Sequence, residues 1–455
     1  MADVVVIGAG ITGLTLTERL QQAFSKRNRG ESVICLEASD RAGGHLRSDI
    51  VDGYLCEWGP SGFLDNAPAT LELVDRLGLG EDVLVADDVS ARRYIFRNGR
   101  LRELPSKPPA LLTSGVLPLT GLLRIFLEPL IKARRHGTEE SIYEFVRRRF
   151  GKHAATILAD AMVSGVFAGD TRRLSLSACL PMVQEMEIEH GGIIKAMARR
   201  RGSKSPTRQR SFRQGMEQLA RGLQRRLGPA LKLESAVDTV AGLGARGYRI
   251  VPQSGVPIEA GVVALTTPAP VTSRLLGQDL PQLTSGLASV PYASMVVIHL
   301  GYHRSAIGDL PQGFGFLVPR NSGIRILGSI WTDQVFPEHA NDGRCLLRVM
   351  IGGAHDPEAH DLDDAELLRI ARREIMTTMG IEAAPVFNQI HRHRQAIPQY
   401  TLGHKKRLAE WETILSQRPG MHLAGSSYRG VSVNDCIVDG ERVASRILQA
   451  MEEPS

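Results

Sequence analysis

An α/β fold built on a Rossmann-like nucleotide-binding unit is what this 455-residue sequence predicts, on three observations. A hydrophobic strand runs into a glycine loop at the start (VVVIGAGITG, residues 4–13). A second strand–glycine–helix segment stands near the end (HLAGSSYRGVSVNDCI, residues 422–437). Between them, alternating apolar strands and proline-broken helices mark further units, and the length allows two or three domains with full cores.

Strand Val4–Ile7 leads into Gly8-Ala9-Gly10-Ile11-Thr12-Gly13 and then a helix carrying Thr15, Leu16 and Leu20. Glycines at this spacing suit a tight turn, close backbone approach to a pyrophosphate, and close helix–strand packing. The helix start offers free N–H groups and a positive dipole end to that diphosphate. A second strand, Ser32–Leu36, ends in Glu37, placed to accept hydrogen bonds from a ribose hydroxyl. Ala38-Ser39-Asp40-Arg41-Ala42-Gly43-Gly44 follows, a run able to wrap backbone over a diphosphate while Arg41 supplies charge. A nicotinamide cofactor that leaves each cycle does not need this second wrap; a permanently held flavin benefits from it. Glu57-Trp58-Gly59-Pro60 reads as a turn after a short strand, and residues 1–88 form the first part of the nucleotide unit.

From Ala91 the character shifts. Arg92–Phe96 and the turn Arg97-Asn98-Gly99-Arg100 read as a hairpin. Prolines 108, 109, 118 and 129 then chop an apolar segment, Ala110–Ile131, into short helices, so it does not span a membrane. Only Arg124 and Glu128 interrupt it, and Lys132, Arg134 and Arg135 follow. Two readings stand: a patch lying in a membrane interface with basic residues at the headgroups, or a buried helical core with a solvated basic end. The basic run Lys195–Arg213 contains Gly, Ser and Pro and reads as a loop; without neighbouring aromatics it does not suggest nucleic-acid binding. The helical insert occupies 89–204.

Residues 205–287 return to the nucleotide unit, with a helix through Leu219 and Leu223 and strands at Leu231–Val240, Tyr248–Pro252 and Gly261–Thr266. Residues 288–417 carry the strands Ser294–Leu300, Gly315–Pro319, Arg325–Ile330 and Leu346–Ile351, then a helix near Asp363 with an acidic first turn. This mixed sheet would roof a flavin. Residues 418–455 close the nucleotide unit: strand Met421–Ala424, glycines 425 and 430, and a helix from Val433.

Composition bounds the rest. Hydrophobic residues are 43%, aromatics 5%, and the net charge is +6, a modest basic excess. Cys35, Cys56, Cys179, Cys345 and Cys436 are scattered and never spaced CxxC, which points to a reducing compartment and away from a zinc or iron–sulfur site. No secretory leader is expected, because the first apolar run is the glycine-loop strand. His391 and His393 share one face of a strand but lack a third ligand, so no metal is expected.

The glycine loop, the DRAGG run and the C-terminal segment resemble the flavin amine oxidase superfamily. More narrowly, GVFAGD (165–170), GFGFLVP (313–319), IPQYTLGH (397–404) and GVSVNDCI (430–437) resemble the oxygen-dependent protoporphyrinogen oxidase family, nearly end to end and in the family's order. The resemblance implies FAD held noncovalently in a para-hydroxybenzoate-hydroxylase-like fold, with separate substrate-binding and membrane-binding domains. It implies stepwise six-electron oxidation of protoporphyrinogen IX to protoporphyrin IX, with dioxygen reoxidising the flavin and hydrogen peroxide released. It also implies a monotopic, often dimeric protein of haem biosynthesis at the cytoplasmic face of the cell membrane, or in the cytoplasm, handing its product to a chelatase.

By position in those motifs, FAD contacts fall on Gly8, Ala9, Gly10, Ile11, Thr12, Gly13, Glu37, Arg41, Gly44, His45, Glu57, Trp58, Gly59, Pro60, Val237, Ser426, Val431, Ser432 and Val433. For the tetrapyrrole, Arg93 matches the basic residue facing a propionate and Gly165 a backbone contact. Phe314, Leu317, Ile330 and Met350 match the apolar positions that sandwich the macrocycle. Such a greasy wall with a cationic end suits a flat porphyrinogen bearing two carboxylates. The cofactor carries the hard step, so no catalytic side chain is named, and Tyr400 and His404 are read as structural. Three positions depart from the family pattern: Gln214 stands where a glycine is frequent, His45 beside the diphosphate, and Met350 where some relatives have an aromatic. The alternatives are coproporphyrinogen III, with four carboxylates, another flavin oxidase, or a non-catalytic tetrapyrrole carrier.

Overall fold

Two seven-stranded sheets and a helical lobe organise the chain in a computed structural model. The structure describes residues 2–27, 32–105, 108–134, 139–199, 207–277, 279–341 and 343–452. Arg135 and residues 200–206 of the basic run lie outside the described residues.

The first sheet runs in the order Leu231–Lys232, Val33–Leu36, Ala2–Ile7, Ile258–Leu265, Tyr248–Pro252, Val237–Gly242, with Met421–Leu423 also pairing Ile258–Leu265. The central strands are parallel, and Val4, Val5 and Val6 are fully buried. Near-continuous apolar strands are what a sheet covered on both faces requires. The helix Ile11–Arg27 packs on one face against the last helix, Val433–Glu452, so both chain ends share one core. Gly440 permits the approach: a Cβ there would lie 2.8 Å from the Thr12 carbonyl oxygen.

The predicted strand Leu231–Val240 is broken in two. Glu234 adopts φ 51°, and the amides of Glu234 and Ser235 donate to the carbonyls of Ser39 and Glu37 at 2.9 and 2.7 Å. Those bonds turn the chain out of the parallel ladder and start a new antiparallel strand at Val237, beside the Glu37 turn.

The second sheet runs Phe387–Pro398, Tyr292–His303, Arg344–Gly352, Gly328–Trp331, Gly315–Leu317, Arg93–Arg97, Arg100–Leu104. It is mixed, because Gly315–Leu317 pairs parallel to Arg93–Arg97 and every other pair is antiparallel. The hairpin turn places Asn98 at φ 51° and Gly99 at φ 75°, the two positive values that match hairpin twist. Its strands form the edge of this sheet, so the first residues of the segment expected as a helical insert, 89–204, belong instead to the sheet. The strand expected from Arg325 begins only at Gly328. The amides of Arg325 and Ile326 instead donate to the Glu374 carboxylate, both at 2.8 Å, on the helix Asp364–Met379 that covers the sheet's outer face.

Apart from that hairpin, the described part of the 89–204 insert is helical, with Leu119–Phe126, Ile142–Phe150, Asp160–Phe167, Pro181–His190 and Ile193–Arg199 as its longer helices. Ser141 and Glu144 form a capping box at the start of Ile142–Phe150. Glu128, which interrupts the apolar run in sequence, is fully buried, ion-paired with Arg149 and accepting from the amides of Ile193 and Ile194. Among the described residues, no helix is long and apolar enough to cross a membrane.

Candidate functional site

The glycine loop has the shape its spacing predicts. Gly8 takes φ +101°, and a Cβ on Gly13 would stand 2.0 Å from the Gly8 carbonyl oxygen, so only glycine fits where the helix crosses the strand end. A Cβ on Gly10 would meet nothing within 4 Å, which leaves that face of the loop open to a ligand. The first helical bond runs from the Leu14 amide to the Gly10 carbonyl (2.9 Å), so the amides before it are free of the ladder's i−4 bonds. Glu37 projects into the loop. One carboxylate oxygen accepts from the Ala9 amide at 2.7 Å, and the other accepts from the Ser39 amide and hydroxyl at 3.0 and 2.8 Å.

The second wrap is built from Gly43 and Gly44. Gly43 bridges Gly10, its amide donates to the Ala9 carbonyl at 2.8 Å, and Gly44 takes φ +58°. The Arg41 guanidinium donates to the carbonyls of Gly44 and Leu46, both at 2.9 Å, so it braces this wrap. Thr266, read from the sequence only as the end of a strand, locks the loop from behind: its hydroxyl donates to the Ile7 and Gly8 carbonyls at 3.0 and 2.7 Å. A threonine directly after a buried strand was the available signal.

Two further segments meet this loop. Residues 57–60 turn beside His45, since a Cβ on Gly59 would stand 2.2 Å from the His45 carbonyl oxygen. Glu57 is buried, accepting from the Ser48 hydroxyl (2.7 Å) and the Met216 amide (2.6 Å), and burial pushes its carboxyl up to about 7. The C-terminal segment 425–433 approaches from the other side, with the Gly425 amide donating to Asp439 at 2.8 Å. Tyr400 clamps it: the phenol accepts from the Gly430 amide at 2.7 Å and donates to the Ser426 carbonyl. His404 stacks on Tyr400 (4.1 Å between centroids) and bonds the Tyr428 carbonyl at 2.9 Å. Both are almost fully buried; burial holds the phenol well above its usual range and the imidazole down to about 4. Two side chains spent on backbone of the same loop are positioning groups. Val433 joins the first core, Val431 packs on the helical insert, and Ser432 caps the last helix through Asp435.

These elements fit a dinucleotide with a permanently held ring. A loop face open at Gly10, amides at a helix start, an acid inside the loop and two opposed backbone wraps converge where the sheet's parallel strands end. Gly8 to Gly13, Glu37, Gly44 and residues 57–60 would hold it, with Ser426 to Val433 closing the far side.

The tetrapyrrole candidates come together on the inner face of the second sheet. Ile330 stands opposite Gly315, and Met350 opposite Gly328. Leu317 meets the insert: a Cβ on Gly165 would lie 2.5 Å from Leu317 Cδ2. Phe314 and Ile330 pack with Leu84, Ala86 and Phe336, while Met350 packs with Ala168, Ala293 and Met295. Ala168 ends its helix in the left-handed region (φ 46°), and its carbonyl accepts from the Ala354 amide at 2.7 Å, pinning insert to sheet. Arg93 lies 5.1 Å over the Phe314 ring, exposed at the wall's edge. His391 stacks on Trp58 (4.1 Å), and His393 Nε2 bonds the Trp58 carbonyl at 2.9 Å. Among the described residues, no group of three His, Cys, Asp or Glu could hold a metal ion. Sequence reasoning passed over Arg348, a charge inside the apolar strand Arg344–Gly352, and buried His299 beside it.

A family model for flavin containing amine oxidoreductases matches residues 11–448. The chain is 30% identical over 462 residues to the coproporphyrinogen III oxidase of Bacillus subtilis (strain 168), covering 98% of this chain and 97% of that one. It is 32% identical to the protoporphyrinogen oxidase of Homo sapiens, with 98% of each covered. A solved structure from Exiguobacterium sp. 255-15, provisionally assigned as a protoporphyrinogen oxidase, matches its fold with a TM-score of 0.86 at 24% identity over 99% of each chain. Wild-type putrescine oxidase bound to putrescine matches with a TM-score of 0.71 at 17% identity, over 98% of this chain and 99% of that one.

Proposed function

The chain belongs to the flavin-containing amine oxidoreductase family and is an FAD-dependent oxidoreductase, and from that premise we propose that it oxidises protoporphyrinogen IX to protoporphyrin IX, with dioxygen as acceptor and hydrogen peroxide as product. FAD, held by Gly8 to Gly13, Glu37 and residues 57–60, would supply the hydride-accepting and oxygen-reducing chemistry for three two-electron rounds. The chain's own part is to bind and orient. Leu317, Ile330 and Met350 give a flat apolar wall on one sheet face, and Gly165 keeps the insert close without adding bulk. Arg93 offers its charge at the edge of that wall to a propionate.

The wall itself carries this reading. This face is a broad apolar plane bounded by both the sheet and the insert, as a flat macrocycle requires. Dicarboxylate preference draws support from the cations nearby. Arg92 is committed to Glu103, and Arg320 to Asp160 and Asp170, while Arg93 makes no salt bridge among the described residues. Coproporphyrinogen III stands as the second reading, favoured by the similarity to the Bacillus subtilis enzyme along nearly its whole length.

Attachment to a membrane surface belongs to the same proposal. Leu119, Leu123, Phe126 and Leu130 are 80%, 62%, 50% and 76% exposed on and just after one short helix, a contiguous apolar surface of the kind that lies on lipid. Aerobic turnover of both porphyrinogens, followed by porphyrin fluorescence and oxygen uptake, tests the assignment. Faster turnover of protoporphyrinogen IX is expected; faster turnover of coproporphyrinogen III would transfer it to the second reading.

A further inference from the structure

Arg348 is a buried cation with no salt bridge among the described residues, its nearest carboxyl, Glu57, being spent on other partners. It is 7% exposed, its Nη2 donates to the Gly59 carbonyl, and its Nε has no hydrogen-bond partner. The other deeply buried arginine shows the ordinary solution, since Arg149 is matched by both Glu128 and Glu187. Burying an unpaired charge is costly, so a fold that keeps one has a use for it that its own side chains do not supply.

The neighbours narrow that use. Cross-strand register sets Arg348 between Ile330 and His299 on one face, with Met350 next along its own strand. It therefore stands where the apolar wall meets the 57–60 loop. His45, His299, His391 and His393 are all held below the usual imidazole range by burial, so these rings add no positive charge. Glu57, the carboxyl that faces it, directs its oxygens to Ser48 and Met216. Burial lowers the guanidinium only to about 10, so the charge persists at neutral pH.

We propose that Arg348 is a positioning and electrostatic residue for the flavin: it fixes the 57–60 loop through Gly59 and offsets the negative charge the ring gains on reduction. A hydride carries two electrons and one proton, so its acceptance leaves the ring with one extra negative charge. A cation in a dry site favours that state. This inference rests on the reading of residues 57–60 as part of the FAD site. A substrate carboxylate would need the same cation. The bond to Gly59 and the apolar neighbours Ile330 and Met350 favour the flavin.

The test is the midpoint potential of FAD-loaded protein without substrate, read spectroelectrochemically for wild type, Arg348→Met, Arg348→Gln and Arg348→Lys. FAD content and melting temperature are measured alongside. Met and Gln are expected to shift the reduction equilibrium against the reduced flavin at least tenfold, about 30 mV for a two-electron couple. Lys, which keeps the charge, stays within threefold. An unchanged potential in Met and Gln with FAD retained overturns the proposal and leaves the arginine to structure or to a substrate carboxylate. A Lys variant that falls as far as Met also overturns it, as does loss of FAD from all three. Because no porphyrinogen is present, a failure here is separable from a failure of the proposed reaction.

Discussion

Replacing Tyr400 by Phe removes one oxygen atom and asks whether this residue is a clamp or a base. The phenol serves two backbone groups of the C-terminal loop, the Gly430 amide and the Ser426 carbonyl, and the side chain is 2% exposed. Water cannot readily replace it, and each buried group left without a partner costs about 1–3 kcal/mol. The ring's packing on His404 survives the change. If segment 425–433 closes on FAD as proposed, a net loss of about 2 kcal/mol in it corresponds to roughly 30-fold weaker FAD binding. Flavin fluorescence during reconstitution of apoprotein measures that affinity directly. Turnover of the FAD-saturated variant should stay within a few-fold of wild type. Wild-type FAD affinity together with turnover reduced a hundredfold would refute the clamp and make Tyr400 a proton acceptor.

Glu57 gives a pH prediction. Its folded-state pKa, about 7, lies above the ordinary carboxyl value of 4.5. The protonated form therefore stabilises the fold, fully so below the unfolded pKa and lost as pH rises through about 7. Glu57→Gln should remove a decline of up to about 3 kcal/mol between pH 4.5 and 7, seen by urea unfolding of the FAD-free protein; an unaltered pH profile would contradict it. Gly165→Ala places a methyl 2.5 Å from Leu317 Cδ2, so the leucine must move toward the slot. A several-fold rise in KM for porphyrinogen with unchanged FAD content is expected, checked by steady-state kinetics. Leu123→Glu with Phe126→Glu should release the protein from anionic liposomes in a sedimentation assay without lowering its melting temperature, since both side chains are at least half exposed.

The nucleotide-binding core was legible because its physics is local. A strand, three spaced glycines, a helix and an acid lie within the first 37 residues, and each constraint acts between near neighbours. The hairpin at Asn98-Gly99 was legible for the same reason. What escaped was set by distant contacts. Arg348 reads as a lone charge in an apolar strand, and only the fold brings it to Gly59, 289 positions away. Glu128 reads as an interruption of an apolar surface, yet Arg149 and two helix amides draw it inside. The hairpin Arg93–Leu104 joins the second sheet although more than two hundred residues separate it from Gly315–Leu317, the strand it pairs with, so no local pattern assigns it. Ala168 in the left-handed region is likewise imposed by docking of insert on sheet, because alanine has no preference for it.

Most of the apolar wall was found through its likeness to known motifs. Periodicity alone gives Phe314 and Met350 no role beyond core packing.

In the proposed complex, an FAD gripped by both chain ends faces a porphyrinogen lying on the wall of Leu317, Ile330 and Met350. Anaerobic stopped-flow mixing of FAD-loaded protein with protoporphyrinogen IX tests it most directly. Bleaching of the oxidised-flavin absorbance by one electron pair per FAD is expected, with porphyrin fluorescence rising only once oxygen is admitted, because the full oxidation takes three such rounds. Flavin that stays oxidised in a fully loaded preparation, at saturating porphyrinogen, would contradict it.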